Sequence, residues 1–173
     1  MELNDALEIA NIAKAKLAPH CYKIEIAGSI RREKDKVKDI ELVCIPRLIN
    51  DDRQRNRRTA KWCAAVYGLG KITKGKIKDG LYLKINLGEI MLDLFIAEPE
   101  NWGMKYLIRT GSKEFSQHIL AQFKKLGYKS EACYPTKGEE RLEFSTEQEI
   151  FDYLGVPYVY PNQRDDLKEL LPF

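Results

Sequence analysis

Apolar residues recur at helical spacing near the start of the chain, at Leu3, Leu7, Ala10, Ala13 and Leu17. That spacing predicts an amphipathic helix over residues 3–17. The period then changes to two. Tyr22, Ile24 and Ile26 alternate with polar neighbours through Ala27, which predicts a strand that Gly28-Ser29 breaks. Arg31 to Lys38 reads as a charged loop, and Asp39 to Ile45 as a second strand. The run after Glu41 is wholly apolar, as expected of a strand buried on both faces. A helix is expected around Arg57 to Tyr67, followed by the punctuation of Gly68, Gly70 and Gly75. Leu81 to Leu87 and Ile90 to Ile96 are predicted strands. Gly88-Glu89 lies between them, and a Gly-first pair suits a type II′ hairpin turn.

Glu98-Pro99-Glu100 breaks the sheet pattern and is taken as a lobe boundary. Beyond it, a helix is predicted near Trp102 to Ile108, and a second runs from after Thr110-Gly111-Ser112 to about Leu126, with Gly127 as a C-cap. Short strands are expected at Ala132 to Tyr134 and Arg141 to Phe144. Thr146-x-x-Glu149 matches a capping box for a helix over Ile150 to Leu154. Gly155 ends that helix, and a tail containing Pro157, Pro161 and Pro172 packs as loop.

Composition narrows the class. With 173 residues, 44% hydrophobic and 32% charged, the chain is a globular domain, or a domain plus a small lobe. It has no apolar run of about 18 residues and no leader pattern, so neither membrane nor secretion is expected. Cys21, Cys44, Cys63 and Cys133 form no C-x-x-C pair, and only His20 and His118 could join them. This argues against structural zinc and for a reducing, intracellular setting (cytoplasm or nucleoid), with a virus-encoded origin left open. Net charge is only +3, but Arg53, Arg55, Arg57, Arg58, Lys61, Lys71, Lys74, Lys76 and Lys78 follow one another without an intervening acid. Such a one-signed stretch points to contact with phosphate backbone.

The candidate chemistry lies on the apolar strands. Asp39 and Glu41 stand at i and i+2, so on a strand they face the same way, about 6.5–7 Å apart. Like charges this close repel and lose solvation, so they call for a cation. Asp93 interrupts Ile90-Met91-Leu92-Asp93-Leu94-Phe95-Ile96, and a lone Asp in an apolar strand is costly unless paired or metal-bound. Three carboxylates on adjacent strands make an oxygen-rich set suited to Mg²⁺ or Mn²⁺. Gly28-Ser29-Ile30-Arg31-Arg32 begins 11 residues before Asp39. Its glycine admits close approach of a phosphate, Ser29 offers a hydroxyl, and an arginine can fork onto phosphate oxygens.

G-S-x-R-R, then D-x-(D/E), then a strand Asp, resembles the palm of family X DNA polymerases, the DNA polymerase beta group. Trp102-Gly103 and Thr110-Gly111-Ser112 are similar to that family's palm-to-thumb junction. Glu149-Ile150-Phe151-Asp152-Tyr153-Leu154, Tyr158 and Pro161-Asn162-Gln163-Arg164-Asp165 resemble the end of its thumb. The resemblance implies a nucleotidyltransferase α/β (α+β) fold. Residues 1–98 would form a catalytic palm with a mixed, mainly antiparallel sheet. Residues 99–173 would form a small α+β thumb-like subdomain that binds nucleotide and DNA. The lyase and fingers lobes have no counterpart in the 173 residues. By resemblance, Asp39 and Glu41 would bind two metal ions and Asp93 the catalytic one. Ser29 and Arg32, at the Gly28 turn, would hold the triphosphate, and Thr110 and Gly111 would sit beside the sugar. Six positions depart from the family: Glu41 for Asp, Ile108-Arg109 for an aromatic pair, Lys113 and Ser116 for Asp and Asn, and Met91 for Arg.

The leading expectation is a minimal polymerase that adds nucleotides to a DNA 3′ end by a two-metal mechanism with release of pyrophosphate. Its partners would be gapped or primer-template DNA and a nucleoside triphosphate, and it would act as a monomer. Arg53, Arg55, Arg57, Arg58, Lys61, Lys74 and Lys76 would grip the DNA. Two other readings are a template-independent nucleotidyltransferase acting on a nucleic-acid end, protein or small molecule, and a non-catalytic DNA-binding module.

Overall fold

A computed structural model of the chain describes residues 1–50 and 56–165. They fall into two compact units. One comprises Met1–Ile30 and Lys34–Ala97, the other Arg31–Glu33 and the chain from Glu98 onward.

In the first unit, helix α1 (Leu3–Leu17) buries Ala6, Ala10, Ala13 and Leu17. The buried stripe is therefore rotated from the one expected: Leu7 is exposed and Ala6 takes its place. Three of these four residues are alanines, whose small side chains let a helix backbone lie close to a sheet. Pro19 stops the helix in a short 3₁₀ turn. Strand β1 (Cys21–Ile26), a four-residue helical turn α2 (Gly28–Arg31) and strand β2 (Asp39–Pro46) follow. Strands β3 (Leu48–Asn50) and β4 (Asn56–Arg58) pair as a small antiparallel ribbon. Helix α3 (Ala60–Tyr67) starts three residues later than the sequence pattern predicts, because the Thr59 side chain accepts from the Trp62 N–H and sets the N-cap there.

Strands β5 (Lys71–Lys74), β6 (Tyr82–Asn86) and β7 (Met91–Ile96) complete a five-stranded sheet in the order β1-β2-β7-β6-β5. Only β2 and β7 are parallel, so the sheet is mixed and mainly antiparallel. Strand β5 was not expected; it is a short edge strand between glycines, with little apolar content. The hairpin between β6 and β7 reverses at the expected Gly88-Glu89 pair. Gly88 has φ 104° and Glu89 is not among the positive-φ residues, while the Leu87 N–H donates to the Ile90 carbonyl at 3.1 Å.

Strand alternation divides the residues of this sheet. Ile24, Ile40, Leu42, Cys44, Leu83, Ile85, Leu92, Leu94 and Ile96 cluster with Ala6, Ala10, Ala13, Leu17, Trp62 and Val66 of α1 and α3. The intervening residues, including Asp39, Glu41, Lys84 and Asp93, belong to the opposite face. Strand β2 meets the expectation of burial on both faces for the run after Glu41. Its second half is buried throughout, but Asp39 and Glu41 are half-buried.

The second unit packs helix α4 (Trp102–Thr110) and helix α5 (Lys113–Lys125) with helix α6 (Glu147–Leu154) around Met104, Leu107, Phe115, Ile119, Phe123, Ile150 and Phe151. Ser112 caps α5 by accepting from the Phe115 N–H. Thr146 and Glu149 form the predicted capping box of α6, and Gly155 closes it in the left-handed conformation. The strands differ from expectation. Strand β8 (Lys129–Glu131), strand β9 (Tyr134–Lys137) and strand β10 (Glu140–Arg141) form a three-stranded sheet. Ala132 and Cys133 are not in a strand; they form the turn between β8 and β9, at φ 50° and 66°. Successive positive φ values normally select Asn or Gly, and neither is present, so no turn signal marked the position. Among the described residues, no helix is long and apolar enough to cross a membrane. All four cysteines are free thiols.

Candidate active site

Register brings the three predicted carboxylates onto one face. Glu41 of β2 lies directly beside Asp93 of β7, and Asp39 is two residues before Glu41. Across β7, Asp93 lies opposite Lys84 of β6, and Lys84 opposite Lys74 of β5. One row across the sheet thus reads Lys74, Lys84, Asp93, Glu41. Its two cations stand on the β5 side and its two anions on the β2 side.

The row ends at the glycine turn. The Ala27 N–H donates to the Glu41 carbonyl at 2.8 Å. Gly28 has φ 63°, and a Cβ there would stand 1.8 Å from Glu41 Oε2. A side chain at this position would collide with the carboxylate as well as strain the backbone. Gly28 therefore lets Glu41 lie against the turn. Ser29 is half-buried in the same turn, and its carbonyl accepts from the Lys34 N–H at 3.0 Å.

Asp93 is held from the β6 side. Its Oδ1 accepts from the Tyr82 hydroxyl at 2.8 Å and lies 3.3 Å from Lys84 Nζ. Among the described residues, no three Asp, Glu, His or Cys side chains are gathered as a metal cage. The donor chemistry fits a hard divalent cation all the same: the carboxylates share one face, two of them directly adjacent in register. Neither Lys84 nor Tyr82 was picked out from the sequence. Alternation of Tyr82, Lys84 and Asn86 marks a polar strand face, but only register shows that it meets Asp93.

In the second unit, Arg32, Thr110 and Gly111 come together. Arg32 Nη1 donates to the Thr110 carbonyl, and its Nε lies 3.3 Å from the Asp165 carboxylate. A Cβ on Gly111 would stand 2.9 Å from Arg32 Nη1. Arg31 stacks 3.8 Å from the Tyr106 ring centroid and donates to Thr110 Oγ1 at 2.6 Å. Its guanidinium also forks onto Glu147, at 2.8 and 2.6 Å. Arg164 Nη1 donates to Glu147 at 2.9 Å, and the Tyr158 hydroxyl also donates to Glu147 at 2.9 Å. Glu147 is buried, which disfavours its charge, yet the two guanidiniums hold it below the usual carboxylate range. Nothing local in the sequence identifies Glu147, because its partners stand 17 and 116 residues away.

The predicted DNA-gripping residues divide. Arg57, Lys61, Lys74 and Lys76 are exposed. Arg58 differs from expectation. Its guanidinium donates to the Ile77 and Gly80 carbonyls at 2.7 and 2.6 Å and lies 5.1 Å from the Trp62 ring centroid. It ties the β5–β6 connection to α3, so its donors face carbonyls within the fold. Arg53 and Arg55 lie outside the described residues.

Comparison with known proteins agrees with this architecture. Residues 106–165 match the family model of the DNA polymerase beta thumb. Among solved structures, polymerase beta of Leishmania infantum, in a ternary P/T complex, aligns with a TM-score of 0.69 at 17% identity, covering 95% of this chain and 76% of that one. No curated protein sequence matches. The chain is thus similar to DNA polymerase beta in fold along nearly its whole length, and in sequence over residues 106–165.

Proposed function

We propose that the chain is a metal-dependent nucleotidyltransferase that extends a DNA 3′ end, a minimal polymerase of the polymerase beta kind. The observation that carries this reading is the register of Asp39, Glu41 and Asp93 on one sheet face, within a fold similar to that of polymerase beta. Asp39, Glu41 and Asp93 would hold two Mg²⁺ or Mn²⁺ ions. When bound, such ions acidify the attacking hydroxyl and neutralise the departing pyrophosphate. The protein's own part is to keep three carboxylates on one rigid sheet, so that little reorganisation accompanies the reaction.

Ser29, in the turn at Gly28, would donate to the triphosphate. Arg32 would do the same, since a guanidinium has five N–H donors and its bonds to Thr110 and Asp165 engage only part of them. The exposed Lys61, Lys71 and Lys74 would neutralise backbone phosphates. If each contacts one phosphate, changing all three to Ala flattens the slope of log K against log salt by roughly 2.7.

A primer-extension gel tests the reading. Gapped, template-primer and single-stranded DNA are offered with Mg²⁺ or Mn²⁺ and each dNTP and NTP. Extension that needs both metal and template supports a polymerase. Extension of single strands points to a template-independent transferase. DNA binding with no extension under any condition refutes the catalytic reading.

A further inference from the structure

Glu41 and Asp93 face each other directly across β2 and β7, where neighbouring strands lie about 4.8 Å apart. Like charges so placed repel. The fold supplies a cation of its own. Lys84 Nζ is 3.3 Å from Asp93 Oδ1, with side chains only 33% and 13% exposed. Tyr82 donates to the same oxygen. The partners of Asp93 therefore come from the β6 side, opposite the β2 side that carries Asp39 and Glu41.

We infer that Lys84 is a built-in counter-ion of the carboxylate row, which a divalent cation must outcompete to be held by Asp93. The inference rests on the proposed metal-binding role of the carboxylates. A metal ion arriving beside Asp93 meets an ammonium already there, and two cations on one carboxylate repel. Lys84 must release Asp93, or the ion binds more weakly than three carboxylates would allow. In the metal-free protein the same lysine offsets the repulsion between Asp93 and Glu41. Lys84 is thus a positioning residue: it sets the metal concentration at which the site fills and keeps the acids together until then.

The test is Mn²⁺ binding to the full chain, followed by the paramagnetic signal of the free ion, with thermal melts alongside. Lys84→Met removes the competing charge and should tighten Mn²⁺ binding roughly fivefold, the scale of a partly exposed ion pair. Lys84→Gln keeps a hydrogen-bond donor without the charge and should tighten it as well. Lys84→Arg keeps the charge and should stay within about twofold of the parent. Without metal, Lys84→Met should melt below the parent, and saturating Mn²⁺ should erase that deficit. Unchanged or weaker Mn²⁺ binding in both neutral variants overturns the inference, as does a deficit equal with and without metal, which would mark a purely structural lysine. If the parent binds Mn²⁺ no better than Asp93→Ala, the metal-binding reading itself fails and takes the inference with it. If the parent binds and only the Lys84 variants leave affinity unmoved, the inference alone fails.

Discussion

Two groups of carboxylates in this molecule are treated in opposite ways. Glu147 is buried and met by two guanidiniums and a hydroxyl. It opens α6, where the helix dipole also favours negative charge. Burial disfavours the ionised form, but the surrounding donors outweigh it, and the result is a knot joining Arg31, α6 and Arg164. Asp39, Glu41 and Asp93 stand on an open row of a sheet, with two acids side by side and one lysine and one tyrosine against Asp93. A carboxylate surrounded by donors is structural; carboxylates kept next to one another on one sheet face suit the proposed cation site.

The contrast is sharpest in substitutions that remove one acid from each group. Glu147→Ala should destabilise the second unit by about 3–5 kcal/mol, because the buried Arg164 and the part-buried Arg31 lose their counter-charge. Urea denaturation followed by far-UV circular dichroism reads this, and a loss below about 1 kcal/mol would put Glu147 with the surface acids. Asp93→Ala should do the reverse. Nucleotide transfer in the primer-extension assay should fall by about a hundredfold or more. Stability should change little, since the substitution also removes a repulsion with Glu41. A variant that unfolds would erase the distinction between the groups.

pH gives a second separation. The folded-state value of Glu147 lies below its ordinary one, so its contribution is present above the unfolded value, about 4.3, and is lost as pH falls through the lower folded value. Melting temperatures measured from pH 6 to pH 3 should decline less steeply in Glu147→Gln, which is already destabilised at pH 6. An identical slope in the variant would mean that this knot does not govern acid stability.

Gly28→Ala bears on the open row. It combines a left-handed backbone with a collision against Glu41 Oε2, so a loss of about 1–2 kcal/mol is expected, together with weaker Mn²⁺ binding as Glu41 is displaced. Weaker stability with unchanged Mn²⁺ affinity would show that the Glu41 position does not matter to the site. The smallest effect should come from Thr146→Ala, which opens the capping box beside Glu147 at about 1 kcal/mol. A loss as large as that of Glu147→Ala would mean that the cap, rather than the ion pairs, sustains the knot.

The sequence was most legible where physics is local. A Gly-first pair between two apolar strands announced the β6–β7 turn, and Thr146-x-x-Glu149 announced the start of α6, because each depends on residues a few positions apart. The acids Asp39, Glu41 and Asp93 stood out because charge inside an apolar run is costly wherever the strand goes. Legibility failed where a neighbouring element decides. Which side of α1 is buried depends on how near the helix comes to the sheet, and alanines at 6, 10 and 13 permit a close approach that a hydrophobic count undervalues. The Ala132-Cys133 turn carries none of the usual residues, because pairing of β8 with β9 holds it. Arg58 sits in a run of cations, but its neighbours in space are the carbonyls of Ile77 and Gly80.

What the sequence by itself determined is the main helices, the central strands and the identity of the acids, since periodicity, caps and the cost of buried charge act along the chain. What only the tertiary structure decided is which charges meet. Strand register put Lys84 beside Asp93 and Glu41 across from it, and helix packing closed Arg31 and Arg164 onto Glu147. The reason is that charge interactions depend on distances of a few ångströms between residues 9 to 116 positions apart, and no spacing along the chain encodes those distances until the strands have paired.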